Sequence, residues 1–294
     1  MKKLSFIYIF VIFLILILGQ ETTFSQEKKA QNQVNKYLIT LVDGTTMQGV
    51  ISSETDTEIT LIADNIGTVS IKKNQIKSKV LLSSENLKNG KYWFPNPNYS
   101  RYFISPGIQL KKGDGYYQNV DLAANTVSYG ITDWLSMGGG IELYSTLHGQ
   151  PIFMLIPKVG FEVGKSFWLG GGVLYINSTK SLGDFGGLGL GYFTATYGNT
   201  NNNLTAGIGW GYLDGDWAKK PIVTISGMTR VSRRIGLVTE NWIFPEHADY
   251  SIFTYGVRFM GEKIAVDLAL VNNKEIAKQF PIGFPIYVDF VIKF

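Results

Sequence analysis

His148 and His247 are the only imidazoles in this 294-residue chain, and each stands near groups that could complete a hydrolytic set. Ser145 precedes His148 by three residues, a nucleophile and a base within one short stretch. Asp214-Gly215-Asp216, together with His247-Ala248-Asp249, offers carboxylates and an imidazole of the kind that activates water. Asp214 and Asp216 are also oxygen donors of the type that suits Ca²⁺. None of these sets is complete. Ser145 and His148 lack an orienting acid, and two carboxylates are few for a calcium site. All lie in polar stretches between apolar runs, where Asp and His are ordinary loop residues. There is no Gly-rich phosphate loop, metal cluster or nucleophile elbow. The expectation is a non-enzymatic protein with no cofactor, no metal and no catalytic residue.

What the remaining residues must build is a membrane object. Lys2 and Lys3 precede a continuous apolar run from Leu4 to Leu18, then small residues at Thr23 and Ser25. That order predicts a secretory signal peptide over residues 1–25, cut before Gln26. The run is shorter than the ~20 residues of a spanning helix. Cysteine is absent, so neither a Cys-linked lipid nor a disulfide is available. Charged residues make up 17 %, aromatics 14 %, and the glycines number 33. A net charge of +4, spread along the chain, is no nucleic-acid footprint. No later apolar stretch is long enough for a membrane helix, so insertion would require a closed barrel.

Two β modules follow each other. Residues 26–35 are polar and predicted disordered. Between Lys36 and Leu82 the pattern predicts five short strands, at 37–42, 47–53, 58–63, 68–72 and 76–81. Asp43-Gly44 and Asn65-Ile66-Gly67 provide hairpin chemistry. This module resembles SH3-like or Sm-like small barrels. A linker over 83–100 carries Tyr92-Trp93-Phe94-Pro95-Asn96-Pro97.

Residues 101–294 divide into twelve candidate strands, roughly 101–110, 116–131, 134–146, 151–163, 166–178, 186–198, 203–213, 220–232, 235–244, 250–260, 263–271 and 284–294. Links after the even-numbered strands are short, and those after the odd-numbered strands tend to be longer. That is the asymmetry of an antiparallel transmembrane β-barrel. An even strand count puts both termini on the short-turn side.

Strand parity separates two faces. Val120, Leu122 and Ala124 oppose Asn119, Asp121 and Asn125, and Phe153, Leu155, Val159 and Phe161 oppose Lys158 and Glu162. The final strand sets Phe284, Ile286, Val288, Phe290, Ile292 and Phe294 against Pro285, Tyr287, Asp289, Val291 and Lys293. The polar face is expected to line the lumen with Arg101, Asp121, Glu142, Lys158, Glu162, Arg230, Glu240, Arg258, Lys263, Asp267, Asp289 and Lys293. Balanced signs suit cross-lumen ion pairs better than a selective ring. Gly138 and Gly140, Gly170 and Gly172, Gly187, Gly189 and Gly191, and Gly207, Gly209 and Gly211 are expected to face inward. They would leave a smooth wall for a solute or for the Tyr92–Pro97 linker. Aromatics fall into two belts. Tyr116, Tyr144, Phe153, Tyr175, Tyr212, Trp217, Phe244, Tyr250 and Tyr287 lie near the long-loop ends. Tyr102, Tyr129, Trp134, Phe161, Phe167, Tyr197, Phe259 and Phe294 lie near the short-turn ends.

The alternating last strand with its terminal Phe resembles that of Gram-negative outer-membrane β-barrels. The resemblance implies that Phe290, Ile292 and Phe294 form the signal read by the barrel-assembly machinery. Ser100-Arg101-Tyr102-Phe103, the run Lys111-Lys112-Gly113-Asp114-Gly115-Tyr116-Tyr117-Gln118-Asn119, and Tyr129-Gly130-Ile131-Thr132-Asp133 resemble uncharacterised outer-membrane barrels of the Bacteroidota. Outer-membrane phospholipases with Ser and His, and aspartyl-type proteases of that membrane, resemble the loop residues in composition. The protease family's second pair runs Asp-x-His, the reverse of His247-Ala248-Asp249. The expected fold is all-β, a twelve-stranded transmembrane barrel preceded by a small SH3-like barrel. The expected function is passive passage of small solutes or envelope organisation, with a closed interaction or scaffold barrel as the rival. Expected partners are outer-membrane lipid, the assembly machinery, and a periplasmic partner for residues 36–82, with no nucleic acid.

Overall fold

The computed structural model describes residues 35–83, 86–88, 90–178 and 187–294, with Ile286 described by its backbone alone. The expected signal peptide and the polar stretch up to residue 34 lie outside the described residues. The chain divides into two compact units between residues 87 and 88.

The first unit is a five-stranded antiparallel sheet of β1 (Lys36–Leu41), β2 (Thr46–Glu54), β3 (Glu58–Ala63), β4 (Gly67–Lys72) and β5 (Ile76–Leu82), in the order β4-β3-β2-β1-β5. Alternation puts Ile39, Met47, Ile59, Leu61, Ala63 and Ile71 into one core. The Asp43 carboxylate accepts the Thr45 amide at 2.8 Å, and Gly44 takes a φ of +89°, so the first turn forms where the Asp-Gly pair predicts it. Glu54 joins Lys73 and Lys79 at 3.0 Å each.

The second unit is a closed antiparallel barrel of twelve strands. They are β6 (Gly115–Val120), β7 (Ala124–Gly130), β8 (Leu135–Glu142), β9 (Ile152–Gly164), β10 (Phe167–Ser178) and β11 (Leu188–Gly198), then β12 (Asn202–Leu213), β13 (Ile222–Arg230), β14 (Ile235–Ile243), β15 (Ile252–Met260), β16 (Ile264–Asn272) and β17 (Phe284–Lys293). The ring shuts where β17 pairs with β6, from Asp289 opposite Val120 to Lys293 opposite Tyr116. Gly115 and Phe294 then exchange backbone hydrogen bonds at 3.1 and 2.9 Å. A Cβ on Gly115 would lie 2.5 Å from the Phe294 ring, so glycine lets that ring lie over the seam.

The strand count agrees with the sequence reading, but two errors cancel in it. Residues 101–110 form no strand. The expected strand 116–131 is instead the hairpin β6–β7. Its turn holds Asp121 and Leu122 at φ +51° and +60°, the left-handed pair that a tight hairpin requires. Neither residue is glycine, so the turn was invisible in the sequence. The link after β6 is therefore tight, whereas the other five on that rim are longer. The links at 131–134, 165–166, 199–201, 231–234 and 261–263 are short.

The turn also reverses parity in the first hairpin. Val120 and Ala124 face inward, while Tyr117, Asn119 and Asn125 form a hydrogen-bonded group on the outer face. Elsewhere large apolar side chains stand outward and exposed, among them Met137, Leu155, Phe161, Leu204, Ile225, Leu237, Leu268 and Val288. Tyr129, Trp134, Phe161, Phe167, Tyr197, Phe259 and Phe294 are exposed near the short-turn rim. Phe153, Tyr175, Tyr212 and Trp217 form a chain of ring contacts near the other. Tyr102, Tyr116 and Tyr287 leave the expected belts and point inward, onto one buried cluster.

Candidate functional site

The lumen is occupied by the chain's own residues 94–110. Phe94, Asn96, Asn98, Ser100, Arg101, Tyr102, Ile104, Ile108, Gln109 and Leu110 are all buried. The segment enters at the short-turn rim. There Arg230 donates to the Phe94 carbonyl at 2.8 Å, and Asn96 donates to the Thr200 carbonyl at 2.6 Å. It leaves at the same rim, where the Lys111 carbonyl lies so close to Gly130 that a Cβ there would sit 2.2 Å from it. Between these points it is a re-entrant loop whose tip is Phe103-Ile104.

Polar side chains of the wall take up the backbone groups that this irregular segment cannot pair with itself. Glu240, sealed from solvent, accepts the Phe103 and Ile104 amides at 2.9 Å each and the Trp242 indole N–H at 2.9 Å. Arg258 donates to the Asn98 and Ser100 carbonyls while its guanidinium grips Asp267 at 2.6 and 2.5 Å. Lys158 donates to the Ile108 carbonyl at 2.6 Å, and Thr196 accepts the Gly107 amide at 2.8 Å. From the segment itself, Arg101 donates to Ser226 at 3.1 Å and to Asn203. Gln109 donates to the Lys158 carbonyl and accepts from Ser136. Contacts thus reach β8, β9, β11, β12, β13, β14 and β15, and Tyr287 of β17 packs against Tyr102 with ring centres 4.5 Å apart and the rings tilted by 58°.

Inner-wall glycines make this fit possible. A Cβ on Gly160 would meet the Gly107 carbonyl at 2.2 Å, and one on Gly170 would meet the Gly107 Cα at 2.8 Å. Of the glycines expected on a smooth wall, Gly170 meets the segment, and Gly160, not among them, meets it more closely. The segment is 94–110, whereas the sequence pointed to 92–97. Gly189 and Gly191 do not belong to that wall. Leu190 between them and Tyr192 after them are buried inward, so these two glycines face out.

The expected lumen charges fall into three groups. Lys158, Arg230, Glu240, Arg258, Asp267 and Asp289 face inward on the wall, and Lys293 pairs with Asp114 at 2.9 Å near the rim. Arg101 is inside the barrel but on the re-entrant segment, a correction of its expected place on a strand. Asp121, Glu162 and Lys263 are corrections too, because they sit exposed at strand ends or links, where water solvates them, whereas Glu142 is half-buried at the loop end of β8, on the same face as the inward Ser136. Asp121 accepts the Val288 amide at 2.7 Å, Glu142 caps the turn Leu143–Leu147 and Glu162 accepts the Ser166 amide at 3.2 Å. Phe290 and Ile292 lie on the outer face beside Tyr117, with Phe294 exposed at the seam.

Asp267 and Asp289 are direct cross-strand partners, and both are buried. Arg258 pairs with Asp267, while Asp289 accepts from Gln118 at 2.5 Å and from the Tyr287 hydroxyl at 3.0 Å. Sequence reading placed these residues in the lumen without showing that their task is to hold a segment. The signal was Pro106-Gly107 inside an otherwise strand-like run.

The described loop residues engage neighbouring groups. His148 Nδ1 lies 2.8 Å from the Tyr144 carbonyl, and Glu142 is taken by the Tyr144 and Ser145 amides. Asp249 pairs with Lys274 at 2.7 Å. Among the described residues no group of three or more His, Cys, Asp or Glu is placed to hold a metal ion.

No protein-family model matches the chain, and no curated protein matches it. Among solved structures it is similar to the KdgM porin, with 6% identity and a TM-score of 0.40 over 61% of this chain and 95% of that one. It is similar to outer membrane phospholipase A from Escherichia coli at 8% identity and a TM-score of 0.34, covering 63% and 92%. A loop-deleted OmpT of Vibrio cholerae shares 14% identity at a TM-score of 0.29, covering 88% and 95%. Likenesses this distant carry nothing about activity, and the barrel rests on its own strand pairings.

Proposed function

We infer that the second unit is an integral outer-membrane barrel of a Gram-negative, Bacteroidota-type cell, held shut at rest by residues 94–110. The observation that carries the membrane reading is an outer face of exposed apolar side chains around a polar, ion-paired interior. A soluble barrel would bury the first and hydrate the second. On this reading residues 1–25 are a cleaved leader, both termini face the periplasm, and Phe290, Ile292 and Phe294 serve assembly. The five-stranded unit is then an SH3-like periplasmic module open to a protein partner.

The role that best suits a filled lumen is a non-enzymatic one, organising the envelope through loops outside and the small module inside. Between the re-entrant segment and the wall there is a cavity of about 30 Å³, lined in part by Ser105, Gln109, Tyr116 and Lys158, room for one water. Passage of small solutes is the second reading. It is favoured by the polar contacts of the segment, which water could replace if residues 94–110 withdrew. Planar-bilayer recording of the full chain tests both. The closed reading expects no steady current, and a stable open conductance without any trigger would overturn it in favour of the channel.

A further inference from the structure

The outer face carries a groove of about 540 Å³ over β9, β10 and β11. It exists because Gly171 and Gly191 stand where the alternation elsewhere places large apolar side chains. Gly171 pairs with Val159 and Phe193, and Gly191 pairs with Val173 and Trp210, so both floor positions are ringed by outward side chains. Phe193 is 67% exposed and forms a ridge along one side. The Trp217 ring lies across the loop-side end, 3.3 Å from where a Gly191 Cβ would be. Pro157 lines the other wall and can donate no backbone hydrogen bond. The β9–β10 ladder skips there, from Leu155 opposite Tyr175 to Lys158 opposite Gly172.

We propose that this groove seats one acyl chain of a membrane lipid, with Trp210 and Trp217 at the headgroup end. The groove is open to the outside rather than enclosed, so it is filled from the bilayer. The groove is continuous with the apolar outer face, and none of its outward-facing lining side chains is charged. Trp is the residue suited to the interface where chain meets headgroup. The proposal rests on the membrane reading given above. A second copy of the chain, with Phe193 as its knob, is the competing occupant.

The test uses the full chain, purified in detergent, stripped of lipid, and incubated with lipid A, the acylated lipid of the leaflet that the long loops border, before native mass spectrometry. Wild type should retain one lipid. Val173→Trp, which fills the groove from its wall, and Gly191→Leu, which fills it from the floor, should each retain about tenfold less. Ile225→Trp, elsewhere on the outer face, should retain it fully, and gel heat-modifiability checks that each variant is folded. Absence of a retained lipid in wild type, or retention at the wild-type level by both filled variants, overturns the proposal. A dimer that is lost with Val173→Trp would overturn it in favour of a contact between copies. Failure of the membrane reading shows separately, as a chain that stays folded and dispersed without detergent.

Discussion

The guanidinium of Arg258 lies flat against the carboxylate of Asp267, donating through Nε at 2.6 Å and Nη2 at 2.5 Å, with both side chains sealed from solvent. The two residues are register partners on β15 and β16. The remaining donor capacity of Arg258 goes to the Asn98 and Ser100 carbonyls, so one ion pair both ties two strands and anchors the re-entrant segment.

Breaking that pair from one side should cost far more than removing it. Arg258→Met leaves Asp267 buried beside Asp289 with no cation between them, a loss of about 3–5 kcal/mol. Arg258→Met with Asp267→Leu should recover part of this. Urea unfolding followed by gel heat-modifiability reads the difference, and equal losses in the single and double variants would contradict the assigned pairing.

Glu240 satisfies three donors at the tip. Glu240→Leu should orphan the Phe103 and Ile104 amides and cost roughly 1–3 kcal/mol for each group left unpaired. The loss is local, so amide exchange over residues 100–108 should accelerate while the wall stays protected. Uniform acceleration across the barrel would argue against a separately held segment.

Gly160 offers a way to expel the segment without touching a charge. Gly160→Val puts atoms where the Gly107 carbonyl runs, while a strand tolerates Val well. The expected product is a folded barrel with an open current in planar bilayers. A silent, folded Gly160→Val would show that the segment can shift sideways and still block.

His148→Ala and His247→Ala should each change stability by less than ~0.5 kcal/mol, as surface substitutions do. Neither should alter phospholipid or peptide hydrolysis, which is expected to be absent from wild type. A turnover that vanishes in either variant would restore an enzymatic role.

Acid should weaken the first unit. Lys79 and Lys73 hold the Glu54 carboxyl below its ordinary value of 4.5. A depressed carboxylate contributes stability above the unfolded value, and that contribution is lost as pH falls through the folded one. Glu54→Gln should therefore flatten the acid limb of the melting curve of residues 36–82 and leave the neutral plateau nearly unmoved, since the group is exposed.

The five strands of the first unit were legible to within a residue or two, because Asp43-Gly44 and Gly67 mark turns and Ile39, Ile59 and Leu61 alternate cleanly. In the barrel, strands such as β11 and β15 were legible for the same reason. Residues 101–110 were not. Tyr102, Ile104, Ile108 and Leu110 alternate like a strand, yet they are buried by the barrel around them, an environment that local periodicity does not encode. Asp121 and Leu122 hid a turn, because a left-handed backbone is expected of Gly or Asn. The charges of the lumen were found by parity, but the partners of Glu240 and Arg258 are backbone groups more than a hundred residues away. Such pairings cannot be read from spacing.

The seam between β6 and β17 has a consequence for biogenesis. It unites the strand that follows directly on the re-entrant segment with β17, the barrel strand farthest from it along the chain. Ring closure therefore rests on the longest-range strand pairing of the described barrel, the kind of contact whose loop-closure cost is largest.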